Sequence, residues 1–224
     1  MKNWQIGVKN ILNIFLKANC LLCDRPCENE ELCKYCHQQL RGCKMKNPGV
    51  WWSEEKLFIW GKYTGILKRA IAVMKYENKP QLGEILGKSL GEAWVKARLS
   101  QFKPIVVPIP MHPEKQKKRG YNQADLIAEG FCHYTGLKLE KQVLERIVNT
   151  AAQYQQSSVQ EREKNLAGAF QINPRFNHQK KQSILLLDDI YTTGTTVKEA
   201  TKVLEQKGMK VEGVVAIATS RKEN

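Results

Sequence analysis

A chain of 224 residues, 42% of them hydrophobic, can bury one substantial core and a small accessory module, which argues against a third domain. Its 36 Lys and Arg against 22 Asp and Glu leave a formal charge of +14, so polyanions are the expected partners, whether free phosphates, nucleic acid or an anionic membrane surface. No apolar run approaches the roughly 20 residues that span a bilayer, and no internal repeat or low-complexity tract is present.

In chain order, Trp4, Val8, Ile11, Leu12 and Phe15 fall on one face of an amino-terminal helix. That face is expected to dock on the protein itself, with contact to a membrane surface as the other reading. Lys9, Asn10 and Asn13 break the stretch and make it a poor signal peptide, so a cytoplasmic location is expected. Next come Cys20-Leu-Leu-Cys23 and Cys33-Lys-Tyr-Cys36. Each C-x-x-C pair offers two thiolates from one tight turn, and two pairs complete the four-sulfur shell of a structural zinc ion. Such a closed shell has no position for chemistry; it holds together a segment too short to bury its own core. Disulfides compete as a reading but fit an exported chain better. Cys27 has permissible spacing to compete as a ligand, His37 is a weaker alternative, and Cys43 and Cys132 read as small buried or incidental residues.

Positions 44–49, Lys-Met-Lys-Asn-Pro-Gly, read as a linker, which divides the chain into a module at 1–46 and a main domain at 47–224. Within the latter, Leu57 to Trp60 predicts a strand, Ile66 to Met74 a helix, and Gly83 to Arg98 a second helix with Leu82, Ile85, Leu86, Leu90 and Trp94 toward the core. Pro104 to Pro110 predicts a strand that runs into a dense basic loop, Lys115-Gln-Lys117-Lys118-Arg119-Gly-Tyr-Asn-Gln123, before a helix over about 124–134. Strands then alternate with helices as far as Val214 to Ala218, the pattern of an α/β fold with a parallel sheet.

The most informative run is Ile184-Leu-Leu-Leu-Asp188-Asp189-Ile-Tyr-Thr192-Thr193-Gly194-Thr195-Thr196. Four apolar residues suit a strand covered on both faces, and open α/β sheets bind ligands at the carboxyl ends of their strands. Carboxylates only accept hydrogen bonds, so Asp188 and Asp189 suit a sugar diol or a nearby magnesium ion. The Thr/Gly loop offers N–H groups, hydroxyls and the amino terminus of the following helix to a phosphate, with Gly194 permitting a tight turn.

This run resembles the signature of type I phosphoribosyltransferases. The resemblance implies that Asp188 and Asp189 hold the ribose of 5-phosphoribosyl 1-diphosphate (PRPP), and that Thr192, Thr193, Gly194, Thr195 and Thr196 hold its 5′-phosphate. With the basic stretch ending in Arg119-Gly-Tyr-Asn-Gln123 and the two cysteine pairs, the chain resembles the ComF/ComFC competence family over nearly its whole length. Arg146, Thr150, Gln153, Arg162, Asn165 and Ala169-Phe170 match that family's hood segment.

A PRPP reaction loses pyrophosphate from a sugar carbon that turns positive, so it needs anions at the ribose and cations at the diphosphate. Asp188 and Asp189 are the candidate catalytic acids, and Lys117, Lys118 and Arg119 the candidate diphosphate cations, with Mg²⁺ bridging its oxygens. No pocket for a nucleobase is recognisable. The resemblance implies a role in uptake or processing of single-stranded DNA, alongside the competence helicase ComFA or other DNA-processing proteins. An active transferase acting on an unidentified acceptor is the alternative. Trp51, Trp52, Phe58, Trp60, Tyr63 and Tyr76 are candidate stacking residues for unpaired bases, although core filling is an equal reading for each.

Overall fold

The computed structural model describes residues 18–27, 30–99, 103–149, 168–177 and 183–221. The amino-terminal helical face, with Trp4 and its companions, and the hood positions Thr150, Gln153, Arg162 and Asn165 lie outside the described residues.

Four strands form one parallel sheet: β3 (Leu57–Lys62), β8 (Lys210–Thr219), β7 (Ser183–Tyr191) and β4 (Ile105–Pro108), in that spatial order. One of its two central strands, β7, is the apolar run that the sequence marks as buried on both faces, and the other, β8, holds the strand expected at Val214 to Ala218. Alternation of side chains along β7 sends Leu185 and Leu187 to one face and Ile184 and Leu186 to the other. Helices α3 (Gly65–Tyr76), α4 (Gln81–Lys96) and α6 (Gln123–Thr135) cover the Leu185 face, and α7 (Thr195–Gln206) covers the Ile184 face.

Helices α4 and α6 approach closely because small residues meet at their crossing. A Cβ on Gly87 would stand 2.2 Å from the Ile127 carbonyl oxygen, and one on Gly130 would stand 2.5 Å from that of Glu84. Leu82, Leu86, Leu90 and Trp94 are fully buried beside this contact, and Ile85 partly so.

The cysteine module comprises the hairpin β1 (Ala18–Asn19) and β2 (Pro26–Cys27) and the helix α1 (Lys34–Gly42). Leu22, Leu32 and Leu40 join the core beneath α3, and the Arg69 Nε donates to the Leu22 carbonyl at 2.7 Å. The stretch expected to be a free linker is tied down instead. The Met45 N–H donates to the Trp60 carbonyl and the Ile59 N–H to the Pro48 carbonyl, each at 2.9 Å. Residues 43–48 therefore cover the open edge of β3, which would otherwise present unpaired backbone groups. A short helix, α2 (Trp52–Glu55), follows.

The loop after β4 leads to helices on one face, while the loop after β7 leads to α7 on the other. Departing in opposite directions from neighbouring strand ends, the two loops open a crevice at the carboxyl edge of the sheet. A two-stranded antiparallel ribbon, β5 (Leu144–Arg146) with β6 (Phe170–Ile172), stands beside that edge.

Candidate functional site

The crevice has a volume of about 450 Å³ and brings Asp188, Asp189, Thr192 and Thr196 together with Lys75, Lys115, Arg119 and Arg146. The two acids end the same strand but occupy different surroundings. Asp189 has the parity of Leu185 and Leu187, faces α3 and is 5% exposed. There the Lys75 ammonium meets it at 2.5 Å. Asp188 is less enclosed, and its Oδ1 accepts from the Asp189 N–H at 2.8 Å. Desolvation, then the neighbouring Asp189 charge, raises the Asp188 carboxyl above the ordinary carboxylate range; that backbone N–H and Lys75 oppose the rise only in part.

The threonine loop is built as its residue types require. Gly194 caps α7 with φ +78°, a left-handed conformation that glycine adopts without penalty. A Cβ there would also stand 2.3 Å from the Tyr191 hydroxyl oxygen. Thr192 and Thr196 line the crevice, Thr193 is exposed, and Thr195 is buried with its hydroxyl 2.9 Å from that of Thr193. The first turn of α7 thus directs its free N–H groups and positive dipole end toward this loop.

The basic stretch expected to be a loop is a helix, α5 (Pro113–Arg119), with Pro113 in its first turn and His112 as its cap, accepting from the Glu114 N–H at Nδ1. Helical period puts Lys115 and Arg119, four residues apart, on one face. Those two line the crevice, whereas Lys117 and Lys118 point to solvent. Lys115 is held below the usual lysine range, first by desolvation and then by the nearby charges of Arg146, Arg119 and Lys75. Cations crowded and partly desolvated in this way are stabilised by an anion.

The following residues fix this geometry. Gly120 ends α5 in the left-handed conformation, with φ +88°. The Tyr121 hydroxyl donates to the Met74 carbonyl at the end of α3. Asn122 caps α6, and its amide donates to the Ile109 carbonyl at 3.1 Å and to Asp125 at 2.8 Å. Gln123 accepts from Arg119 and aims its guanidinium. Arg119 also stands 5.6 Å from the centre of the Tyr76 ring. Sequence reasoning missed Lys75 and left Lys115 out of the ligand set. The parity of Asp189 with two core leucines was an available signal that a buried carboxylate there needs a cation.

Of the candidate stacking residues, Phe58 and Trp60 are 0% and 3% exposed, and Trp52 packs edge-on against Trp94 with ring centres 5.2 Å apart. Trp51 is partly buried, with the Arg221 guanidinium 5.0 Å from its ring centre. Tyr63 and Tyr76 line the crevice, and Tyr76 is 78% exposed.

A second cavity of about 880 Å³ adjoins the crevice and shares Pro110, Met111, Asn122 and Arg146 with it. Its wall mixes apolar residues such as Met111, Leu144 and Ile147 with polar ones, including Asp125, Glu145 and Asn173. Burial lifts the Asp125 carboxyl to about 6, opposed in part by Lys141 and Asn122.

In the cysteine module, the sulfur atoms of Cys20, Cys23, Cys33 and Cys36 all lie within 4.8 Å of one another, with those of Cys23 and Cys33 at 3.6 Å. A tetrahedral zinc shell with Zn–S near ~2.3 Å requires S–S separations of ~3.8 Å. The cluster therefore fits that ion. Cys27 stands outside it, its thiol donating to the Arg25 carbonyl at 3.5 Å and pushed up to about 11, first by burial. His37 is exposed and is not in the cluster, Cys43 is partly buried, and Cys132 is buried on the inner side of α6.

Residues 119–224 match the phosphoribosyl transferase domain. Competence protein F of Haemophilus influenzae is 27% identical over 213 residues, covering 91% of each chain. The DNA utilization protein YhgH of Salmonella typhi is 27% identical, covering 84% of this chain and 85% of its own length. Competence protein ComFC of Bacillus subtilis is 23% identical, covering 84% of this chain and 72% of its own.

Proposed function

We propose that this chain, a homologue of competence protein F and ComFC that carries a phosphoribosyl transferase domain, binds PRPP between β4 and β7 and assists the handling of single-stranded DNA in natural transformation. The observation that supports the first half is that one crevice is lined by Asp188 and Asp189 together with Lys115, Arg119 and Arg146. Asp188 accepts from ribose hydroxyls, while the loop from Thr192 to Thr196 and the end of α7 bind the 5′-phosphate. Lys115 and Arg119 bind the diphosphate, Arg119 with its planar fork. Magnesium would add positive charge beside the diphosphate, and Asp188, which lines the crevice and is less enclosed than Asp189, would hold it. Zinc on the four clustered cysteines is structural in this reading and fastens the amino-terminal module to α3.

The DNA half is supported by the charge of +14, by a relative named a DNA utilization protein, and by exposed Tyr76 standing beside Arg119. ComFA or another DNA-processing protein is the protein partner in this reading. Since Arg119 serves both ligands, PRPP and DNA compete. Fluorescence anisotropy of a labelled, unstructured oligonucleotide at low salt tests this. Binding that weakens steeply with salt and is displaced by PRPP is expected; no binding at low salt would remove direct DNA contact from the account.

The second cavity favours an alternative reading, an active transferase, because it adjoins the proposed sugar site and carries polar groups such as Asp125 and Asn173 among its apolar lining. Pyrophosphate release from PRPP and magnesium in the presence of a panel of bases decides between the two. Release that depends on one acceptor and is lost in Asp188→Asn would establish turnover.

A further inference from the structure

Arg221, just beyond β8, is joined to Glu55 at the end of α2, 166 positions away in the sequence, by two parallel hydrogen bonds. Its Nη1 donates to Oε2 at 2.6 Å and its Nη2 to Oε1 at 2.8 Å. A planar fork on a carboxylate fixes the guanidinium in direction as well as in distance. The guanidinium carbon stands 5.0 Å from the centre of the Trp51 ring and 5.9 Å from that of Tyr191. The backbone repeats the connection: the Arg221 N–H donates to the Thr219 hydroxyl at 3.1 Å, and that buried hydroxyl donates to the Tyr191 carbonyl at 2.7 Å. Tyr191 is the last residue of β7 before the threonine loop, and its hydroxyl oxygen lies 2.3 Å from where a Cβ on Gly194 would stand. Burial, then the Glu55 charge, raises the Tyr191 phenol above its ordinary range against the opposing Arg221, so a neutral hydroxyl packs on Gly194.

We propose that Arg221 is a positioning residue for the threonine loop: clamped by Glu55 and Trp51, it seats Tyr191 against Gly194 and so holds residues 192–196 in the shape that receives a phosphate monoester. Gly194 turns the loop in a left-handed conformation and has no side chain with which to lock it. The lock comes from outside, through the Tyr191 hydroxyl. A loose loop must be ordered by its ligand at a cost in affinity, whereas a held loop has its free N–H groups already aimed. Arg221 and Glu55 stand outside the crevice lining, so their effect reaches the phosphate through Tyr191 and Gly194. With side-chain exposures of 36% and 38%, the ion pair adds little to global stability, and its consequence falls on the loop. The ligand named here rests on the sugar-phosphate reading above; the hold on the loop does not.

Hydrogen exchange of the full-length protein tests the hold without any ligand. The Lys198 N–H makes the first helical bond of α7, to the Gly194 carbonyl at 2.8 Å, and reports on the loop. Arg221→Met speeds exchange there by roughly fivefold or more and leaves the amides in the middle of β7 and β8 unchanged. Calorimetric titration then compares ribose 5-phosphate with pyrophosphate. Arg221→Met weakens ribose 5-phosphate binding roughly tenfold, the cost of ordering a loosened loop, and pyrophosphate binding by about twofold or less. Arg221→Lys, which keeps the charge but not the fork, restores part of the loss. Lys198→Met removes an equal charge from the exposed side of α7 and changes either affinity by about twofold or less. A loss shared equally by the two ligands, or matched by Lys198→Met, would overturn the proposal in favour of plain electrostatic attraction. So would unchanged exchange in folded Arg221→Met. If Arg221→Met does not fold, Glu55→Gln, which releases the fork and keeps the Arg221 cation, carries the same expectations. If exchange quickens but wild-type protein binds no ribose 5-phosphate, the hold on the loop stands and the sugar-phosphate reading fails.

Discussion

Two double substitutions, each removing two positive charges from a total of +14, separate a shaped diphosphate site from a general electrostatic attraction. Lys115→Met with Arg119→Met removes the pair lining the crevice, and Lys117→Met with Lys118→Met removes the exposed pair on the same helix. A hydrogen bond to a charged oxygen contributes about 1.5–3 kcal/mol. Lys115 and Arg119 are only half-buried, so the lower end of that range applies to each. Losing both costs about 3 kcal/mol, roughly a hundredfold in Kd for PRPP. Lys117 and Lys118 act only through screened solvent and change the Kd by roughly twofold or less. Calorimetric titration with PRPP and magnesium measures both, with circular dichroism to verify folding. Equal losses from the two variants would refute the assignment and reduce the basic helix to a diffuse source of attraction.

Gly194→Ala places a Cβ 2.3 Å from the Tyr191 hydroxyl at φ +78°, so it lowers the unfolding free energy by about 1–2 kcal/mol or more and weakens ribose 5-phosphate binding, read by thermal melts and titration. Tyr76→Ala weakens oligonucleotide binding by about 1–3 kcal/mol at every salt concentration without moving the melting temperature, because Tyr76 is exposed, whereas Trp60→Ala destabilises the fold. Asp125 binds its proton more tightly folded than unfolded, up to about 6. Its contribution to stability is therefore greatest below about pH 4 and declines by about 2–3 kcal/mol as pH rises to 6. Denaturant unfolding of wild type and Asp125→Asn across that range isolates the slope; parallel curves would contradict it.

Fold and site were legible to different depths. The parallel sheet, its helices and the threonine loop follow from uninterrupted apolar runs and from a glycine where the chain must turn. The same runs that announced β7 also carried the parity that separates Asp189 from Asp188, since adjacent residues on a strand face opposite ways. Reading Lys115 to Arg119 as a loop hid which two of the four cations line the crevice, because only helical period distinguishes Lys115 and Arg119 from Lys117 and Lys118. Lys75 was beyond local reading, being brought to Asp189 by tertiary packing from more than a hundred positions away. Most of the tryptophans serve the core, where aromatic area contributes most.

In the proposed site, one crevice recognises the sugar phosphate and the diphosphate together. Titration of wild-type protein and Asp188→Asn with PRPP, ribose 5-phosphate and pyrophosphate, each with magnesium, separates the two contributions. PRPP is expected to bind more tightly than either half-ligand, and Asp188→Asn to remove this advantage while leaving pyrophosphate binding in place. PRPP binding no tighter than pyrophosphate, or unchanged in folded Asp188→Asn, would contradict it.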